Sequence, residues 1–358
     1  MKKFLKNIIP IVAFLAIYSC AEDRDDFSIN SSVVAPAVVE PSTTTINLVG
    51  LQNLPDNPAI TLVWNKVDYG VQTPVNYDVE ISNTQTFDNV ASFSNNNQRT
   101  ISWTVDELNV QAQKIGLPVE IESDLYVRVV SSLGTDDSVR ATSDVITLKV
   151  TTYFAYLFDD FYLVGPASRA GWENNNNNPP LFRTEANADK YIYTGYFNAD
   201  DFKVLEMLGQ WQPQWGTDDN VTLAGNPATS SSDPGPFSIA AAGYYTFTYD
   251  FANKTFSITT FDDSNSTTYT SITVKGSATV DDIALTQSTF DSHIWYVNGV
   301  DLKSGSVNFI DSNGAAWGND NEFHGTATIN GGDIPTTDRN YNISFNDLTG
   351  DYMIIPTF

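Results

Sequence analysis

The chain of 358 residues holds one cysteine, two histidines and three methionines. A single cysteine excludes an intramolecular disulfide. The two histidines, His293 and His324, form no HExxH zinc motif, and no GxSxG or phosphate-loop pattern accompanies them. Positive charge is scarce: 18 Lys and Arg stand against 43 Asp and Glu, a formal net charge of −25. Such a chain repels nucleic acid and anionic lipid surfaces. No basic cluster offers a strongly anionic polysaccharide a place to dock. With so many carboxylates, a pair drawn from the sequence carries no information, and a glycosidase needs two placed across a cleft. Calcium needs six or more oxygen ligands, and no EF-hand spacing gathers Asp218, Asp219, Asp320 and Asn321. The expectation is a non-enzyme with no metal and no cofactor.

Long apolar runs are also scarce. Ile8 to Ile17 is one, broken at Pro10, preceded by Lys2, Lys3 and Lys6 and followed by Ser19-Cys20. Residues 1–19 read as a signal peptide, too short to span a membrane stably. The position of Cys20 resembles a bacterial lipobox, which implies cleavage before Cys20 and lipid attachment to it. The alternative is an ordinary secretory signal with a chance cysteine. Acyl chains would anchor the protein in the outer membrane at about 0.8 kcal/mol per buried methylene. The acidic stretch Ala21-Glu22-Asp23-Arg24-Asp25-Asp26 resembles the surface-export signal of Bacteroidetes lipoproteins, which implies a cell-surface location. Residues 20–35 carry this cysteine and a linker.

What is abundant is β-forming. Aromatics make up 13%, and Thr, Val, Ser and Asn are common. Period-two alternation appears in "AITLVWNKV" and in "VNYDVEIS", where Val75, Tyr77, Val79 and Ile81 share a face. "RTISWTV", "DLYVRVVSS" and "SDVITLKV" follow, separated by turn residues. One helix is expected from Asp106 onward, capped by Asp106 and ended by Gly116. "ITLVWNKVDYG", "YDVEISNTQTFD", "WTVDELNVQAQKIGLP" and "DLYVRVVSSLG" resemble the N-terminal immunoglobulin-like domain of SusE-type lipoproteins, over residues 36–152. That resemblance makes Trp64 and Tyr77 core residues and the domain a spacer.

The rest of the chain contains a repeat. "FYLVGPAS", "KYIYTGYFNADDFKVLEM", "QWGTDDNV" and "GYYTFTYDFANKTFSITTF" are followed by "ITVKGSAT", "HIWYVNGVDLKSGSVNFID", "AWGNDNEF" and "RNYNISFNDLTGDYMIIPTF". In the last hairpins, Tyr245, Phe247, Tyr249, Phe256 and Ile258 align with Tyr341, Ile343, Phe345, Tyr352 and Ile354. The expected fold is all-β, three tandem β-sandwich domains: 36–152, 153–262 and 271–358. The latter two resemble the carbohydrate-binding modules at the C-terminal end of SusE and SusF, the second copy more weakly.

A pyranose has an apolar C–H face and a rim of hydroxyls. Exposed aromatics beside amides and cations therefore suit it. Trp172 stands before "ENNNNNPP", a run expected to be a loop, and Trp211 and Trp215 bracket Gln-Pro-Gln. The resemblance pairs Trp172 with Trp211 or Trp215 as a glycan platform, with Lys203 and Arg183 as donors. Trp317 and Trp295 are the candidates in the second copy. Trp215 and Trp317, in the doubled Trp-Gly, are equally readable as core plugs. By the same family analogy the partners are a polysaccharide or oligosaccharide, a TonB-dependent transporter and its partner lipoprotein. The glycan would be a starch-like α-glucan or another glucan such as laminarin. The alternative is a protein-binding scaffold or adhesin.

Overall fold

The computed structural model describes residue 29 and residues 33–134, 138–227 and 232–357. The signal peptide, Cys20 and the acidic stretch lie outside them. Strands dominate the described residues, and most pair antiparallel. The chain divides into two compact units, ending at Leu157 and beginning at Phe158.

In the N-terminal unit the alternating segment Val75–Ser82 pairs with Val90–Ser94 on one side and Ser123–Leu133 on the other. Ser123–Leu133 also pairs with Ile146–Thr151, which accepts Thr45–Asn47 as a parallel edge strand. A second, two-stranded layer joins Pro58–Val63 to Thr100–Thr104. The inward residues of both layers form one core in which Trp64 and Tyr77 are buried, ring centroids 5.8 Å apart. The tyrosine hydroxyl accepts from Val67 N–H at 2.9 Å, so its polar end is satisfied inside the core.

The helix runs Val105–Lys114, and its cap differs from the expectation. Thr104, not Asp106, is the N-cap. Its hydroxyl accepts from Glu107 N–H at 3.2 Å, and the Glu107 carboxylate accepts from Thr104 N–H at 2.9 Å. This reciprocal box satisfies two otherwise orphaned donors. Asp106 instead falls in the first turn, where a negative charge meets the positive end of the helix dipole. Gly116 follows the helix at φ +90°, a conformation that favours glycine.

The C-terminal unit has two halves, each of two facing sheets. In the first, Phe182–Arg183, Lys190–Phe197, Gly243–Asp250 and Thr255–Thr260 form one sheet. The facing sheet orders Ala224–Asn226, Gln214–Gly216, Asp201–Leu205 and Phe237–Ser238, with Tyr162–Val164 also on Asp201–Leu205. Phe202 and Phe247 meet between the layers with centroids 5.1 Å apart. In the second half, Phe309 and Phe345 stack across the layers at 4.4 Å. The terminal hairpins keep the register expected from the repeat. Tyr249 lies opposite Phe256 and Phe247 opposite Ile258, while Phe345 lies opposite Tyr352 and Ile343 opposite Ile354.

The two halves are joined by a polar seam. Asn346 Nδ2 donates to Thr194 O at 2.7 Å, and Tyr196 N–H donates to Asp291 Oδ2 at 2.8 Å. A Cβ at Gly195 would come within 2.6 Å of that carboxylate, so glycine permits the approach. Glu185 accepts from Thr326 N–H at 2.8 Å, and the Arg169 guanidinium lies 4.5 Å from the Tyr296 ring centroid.

Candidate functional site

The doubled Trp-Gly is a structural device written twice. Val204 pairs with Trp215, and Phe309 pairs with Trp317. This register superposes Glu206 on Asp311. The Trp215 indole N–H donates to Glu206 Oε1 at 2.6 Å, and the Trp317 indole N–H donates to Asp311 Oδ2 at 2.9 Å. Each indole thus locks two adjacent strands through a charge-assisted bond. Trp215 also meets Phe251 edge-on at 5.1 Å, and Trp317 meets Phe345 at 5.8 Å. The glycines that follow are required for space. A Cβ on Gly216 would lie 1.9 Å from Gly235 O, and one on Gly318 would lie 1.9 Å from Gly332 O. Gly165 and Gly276 are a second matched pair, each pressed against the backbone of the neighbouring strand.

The candidate binding cleft lies beside the first lock, in the first half of the C-terminal unit. It has a volume of about 570 Å³, and Trp172, Lys203, Trp211, Gln212, Gln214 and Asp233 line it. Trp172 is 44% exposed and Trp211 39%. The loop before the strand Gln214–Gly216 presents Trp211. Gly171, at φ +59°, turns the chain so that the Trp172 ring edge leans over Gly165. The asparagine run that follows is a loop, as its composition suggests, but one held by its own amides. Asn178 Nδ2 donates to Leu163 O at 2.9 Å and Glu173 O at 3.0 Å, and Asn176 Nδ2 donates to Ala170 O at 3.1 Å. These bonds fix the backbone that carries Trp172.

Lys203 Nζ donates to Gln214 Oε1 at 2.8 Å across adjacent strands. Its pKa is lowered, chiefly by burial, with Asp233 and Asp218 opposing. Asp233 Oδ1 accepts from Asn226 Nδ2 at 2.6 Å and Gln212 Nε2 at 3.5 Å. The Asn226 bond is the main reason its carboxyl is held below its ordinary value. The cleft therefore combines two exposed indoles, a cation, a carboxylate and two amides. That set can cover an apolar ring face and bond its hydroxyl rim.

Four of the expected site residues do not line the cleft. Arg183 is 1% exposed, and its Nη2 donates to Asp160 Oδ1 at 2.8 Å and Asp159 O at 2.6 Å. Trp295 is 2% exposed, and its indole donates to Asp347 Oδ2 at 2.7 Å. Neither reaches the cleft, because each is committed to an interior carboxylate. Trp215 and Trp317 are half-buried in their locks.

The second half repeats the frame and not the cleft. Asn308 stands where Lys203 does and donates to Gly332 O at 3.3 Å, and Ala316 stands where Gln214 does. The segment between Asp311 and Ala316 is Ser-Asn-Gly-Ala, with no counterpart of Trp211. Sequence reasoning missed Gln212, Gln214 and Asp233. The signal available was the Gln-Pro-Gln between the two tryptophans.

Among the described residues no group of three or more His, Cys, Asp or Glu is placed to hold a metal. Asp219 accepts instead from Thr222 N–H and Oγ1, both at 2.7 Å, and from Val221 N–H at 2.8 Å, which holds its carboxyl far below the usual range. No helix among the described residues is long and apolar enough to cross a membrane.

No curated protein matches the chain. Among solved structures, SusF from Bacteroides thetaiotaomicron aligns with 91% of this chain and 76% of that one, at 13% identity and a TM-score of 0.25. Residues 22–130 match the family model described as SusE outer membrane protein. The likeness to the SusE outer membrane protein family is a likeness of this N-terminal region.

Proposed function

We propose that the chain is a non-catalytic, lipid-anchored glycan-binding protein of the cell surface, and that the Trp172–Trp211 cleft is its binding site. The observation that carries this reading is the convergence of Trp172, Trp211, Lys203 and Gln214 on one open cleft. The two indoles supply apolar faces at low cost in side-chain entropy. Lys203, Gln212, Gln214 and Asp233 supply donors and acceptors for hydroxyls. One cation beside one carboxylate suits a neutral sugar better than an acidic polymer. The family match supports an outer-membrane setting. The ligand is then a starch-like α-glucan or another glucan such as laminarin, passed to a TonB-dependent transporter and its partner lipoprotein.

On this reading the second half of the C-terminal unit is a support, because it has the tryptophan lock without the exposed pair. Binding by Trp317 and Trp295 is not part of it. The test is affinity electrophoresis of the mature chain through gels containing starch, laminarin, xylan or mannan. A folded Trp172→Ala variant should run unretarded in the polymer that retards the wild type. Retardation unchanged in folded Trp172→Ala and Trp211→Ala variants would remove the site from this cleft.

A further inference from the structure

A second cavity, of about 240 Å³, opens on the seam between the two halves of the C-terminal unit. Its lining differs in kind from the tryptophan cleft. Asparagine amides come from both halves, Asn175, Asn177 and Asn178 from one and Asn298 and Asn342 from the other. No carboxylate lines it, although the chain has 43 acidic residues. Arg169 is the one charged group in the lining.

Arg169 is held rigidly. Its Nε donates to Asn177 O at 2.6 Å, and its guanidinium stacks on the Tyr296 ring at 4.5 Å. Nη1 is buried and has no hydrogen-bond partner among the described residues. A buried guanidinium N–H left without an acceptor is costly. Arg169 lines a cavity of amides, and a guanidinium with an unpartnered N–H there is a group that a carboxylate would satisfy. Burial lowers the Arg169 pKa, with Tyr193, Tyr296 and Asp291 opposing, yet guanidinium remains cationic at any physiological pH.

The amides bring further capacity. Asn178 is fully engaged in holding its own loop, and Asn342 Oδ1 accepts from Gly299 N–H at 3.0 Å. Asn342 Nδ2, Ser344 Oγ and the Asn175 amide carry no hydrogen bond among the described residues and remain available to hydroxyls.

We propose that this seam cavity binds a single sugar acid, a hexuronate-sized ligand whose carboxylate meets Arg169 and whose hydroxyls meet the asparagine amides. One guanidinium matches one carboxylate. A polyuronate would bring many anions to a chain of net charge −25. The ligand is therefore a free uronate or a lone uronate residue on an otherwise neutral chain. The site is separate from the Trp172 cleft and stands whether or not that cleft binds glucan.

The experiment is saturation-transfer NMR and calorimetry on the mature chain, with D-glucuronate, D-glucose, a xylo-oligosaccharide bearing one glucuronate, and polygalacturonate. Glucuronate should bind, glucose should be at least about tenfold weaker, and polygalacturonate should not bind. Binding of the branched oligosaccharide as tightly as the free acid would assign the polymer-borne source, and much weaker binding would assign the free acid. Arg169→Gln should weaken glucuronate at least about tenfold. Should that variant fail to fold, Asn175→Leu, on the exposed rim, narrows the cavity without touching the seam bonds and should also weaken it. Trp172→Ala should leave glucuronate binding unchanged. Equal binding of glucose and glucuronate would overturn the proposal. So would no binding of either acid to the folded wild type, or full binding by the folded Asn175→Leu and Arg169→Gln variants.

Discussion

Replacing Trp215 by phenylalanine removes one N–H and part of one ring from a site where both have defined partners. The lost bond, 2.6 Å to Glu206, is charge-assisted, and such bonds contribute about 1.5–3 kcal/mol. The ring is half-buried against Phe251, so the lost apolar contact adds only about 1 kcal/mol. Trp215→Phe should therefore destabilise the C-terminal unit by about 2–4 kcal/mol. In a unit of this size that lowers its melting temperature by about 5–12 °C. Calorimetry reads the transition, and a double-mutant cycle with Glu206→Met, which leaves no acceptor, isolates the bond. The coupling energy should be about 1–2 kcal/mol. The same cycle on Trp317 and Asp311, joined at 2.9 Å, should give a similar value. A coupling below about 0.5 kcal/mol in both copies would refute the lock, leaving the Trp-Gly repeat to packing alone.

Three further outcomes follow. Gly216→Ala and Gly318→Ala should each cost about 3 kcal/mol or more, since the new methyl meets a carbonyl oxygen at 1.9 Å and backbone must move; thermal melts comparable to wild type would show that the strands separate easily. Lys203→Met keeps the aliphatic stem and loses the donor, so glucan affinity should fall about five- to tenfold, measured by calorimetry, and the melt should fall by about 2–6 °C because buried Gln214 Oε1 loses its partner. His293 bonds Asp347 at 2.5 Å, and that bond is the main reason its pKa is raised above 6.5. The folded chain thus holds this proton more tightly than the unfolded one. The stabilisation is complete below the unfolded value and is lost as pH rises through the elevated one. The melting-temperature gap between wild type and His293→Gln should narrow as pH rises above about 6.5, and a constant gap would contradict the pairing.

The hairpins were legible because their pattern is local. A period of two fixes which side chains share a face, and the matched aromatics fix the register of both copies. The helix was legible in extent, and its cap was mistaken because Thr104 and Asp106 are both good capping residues and only geometry chooses between them. Burial of Trp64 was implied by the resemblance; Trp295 was readable as core or as surface, and the burial of Arg183 was not legible. Their partners, Asp347 and Asp160, lie about fifty and about twenty residues away in sequence. An alternating strand says that a residue has a face, never which face meets solvent. The grouping of Trp172, Trp211 and Lys203 was anticipated from the resemblance, whereas the seam cavity was not. Arg169 and Asn342 are separated by most of the C-terminal unit, and no periodicity connects them.

Glycan binding by the exposed indole pair beside Lys203 is the proposal on which the function rests. Affinity electrophoresis of the mature chain and of folded Trp172→Ala, Trp211→Ala and Trp317→Phe variants tests it in one gel. Retardation of the wild type and of Trp317→Phe by one neutral glucan is expected, with loss of retardation, about 5- to 30-fold in affinity, in Trp172→Ala and Trp211→Ala. Retardation that persists in both cleft variants and disappears in folded Trp317→Phe would contradict it and move binding to the second half.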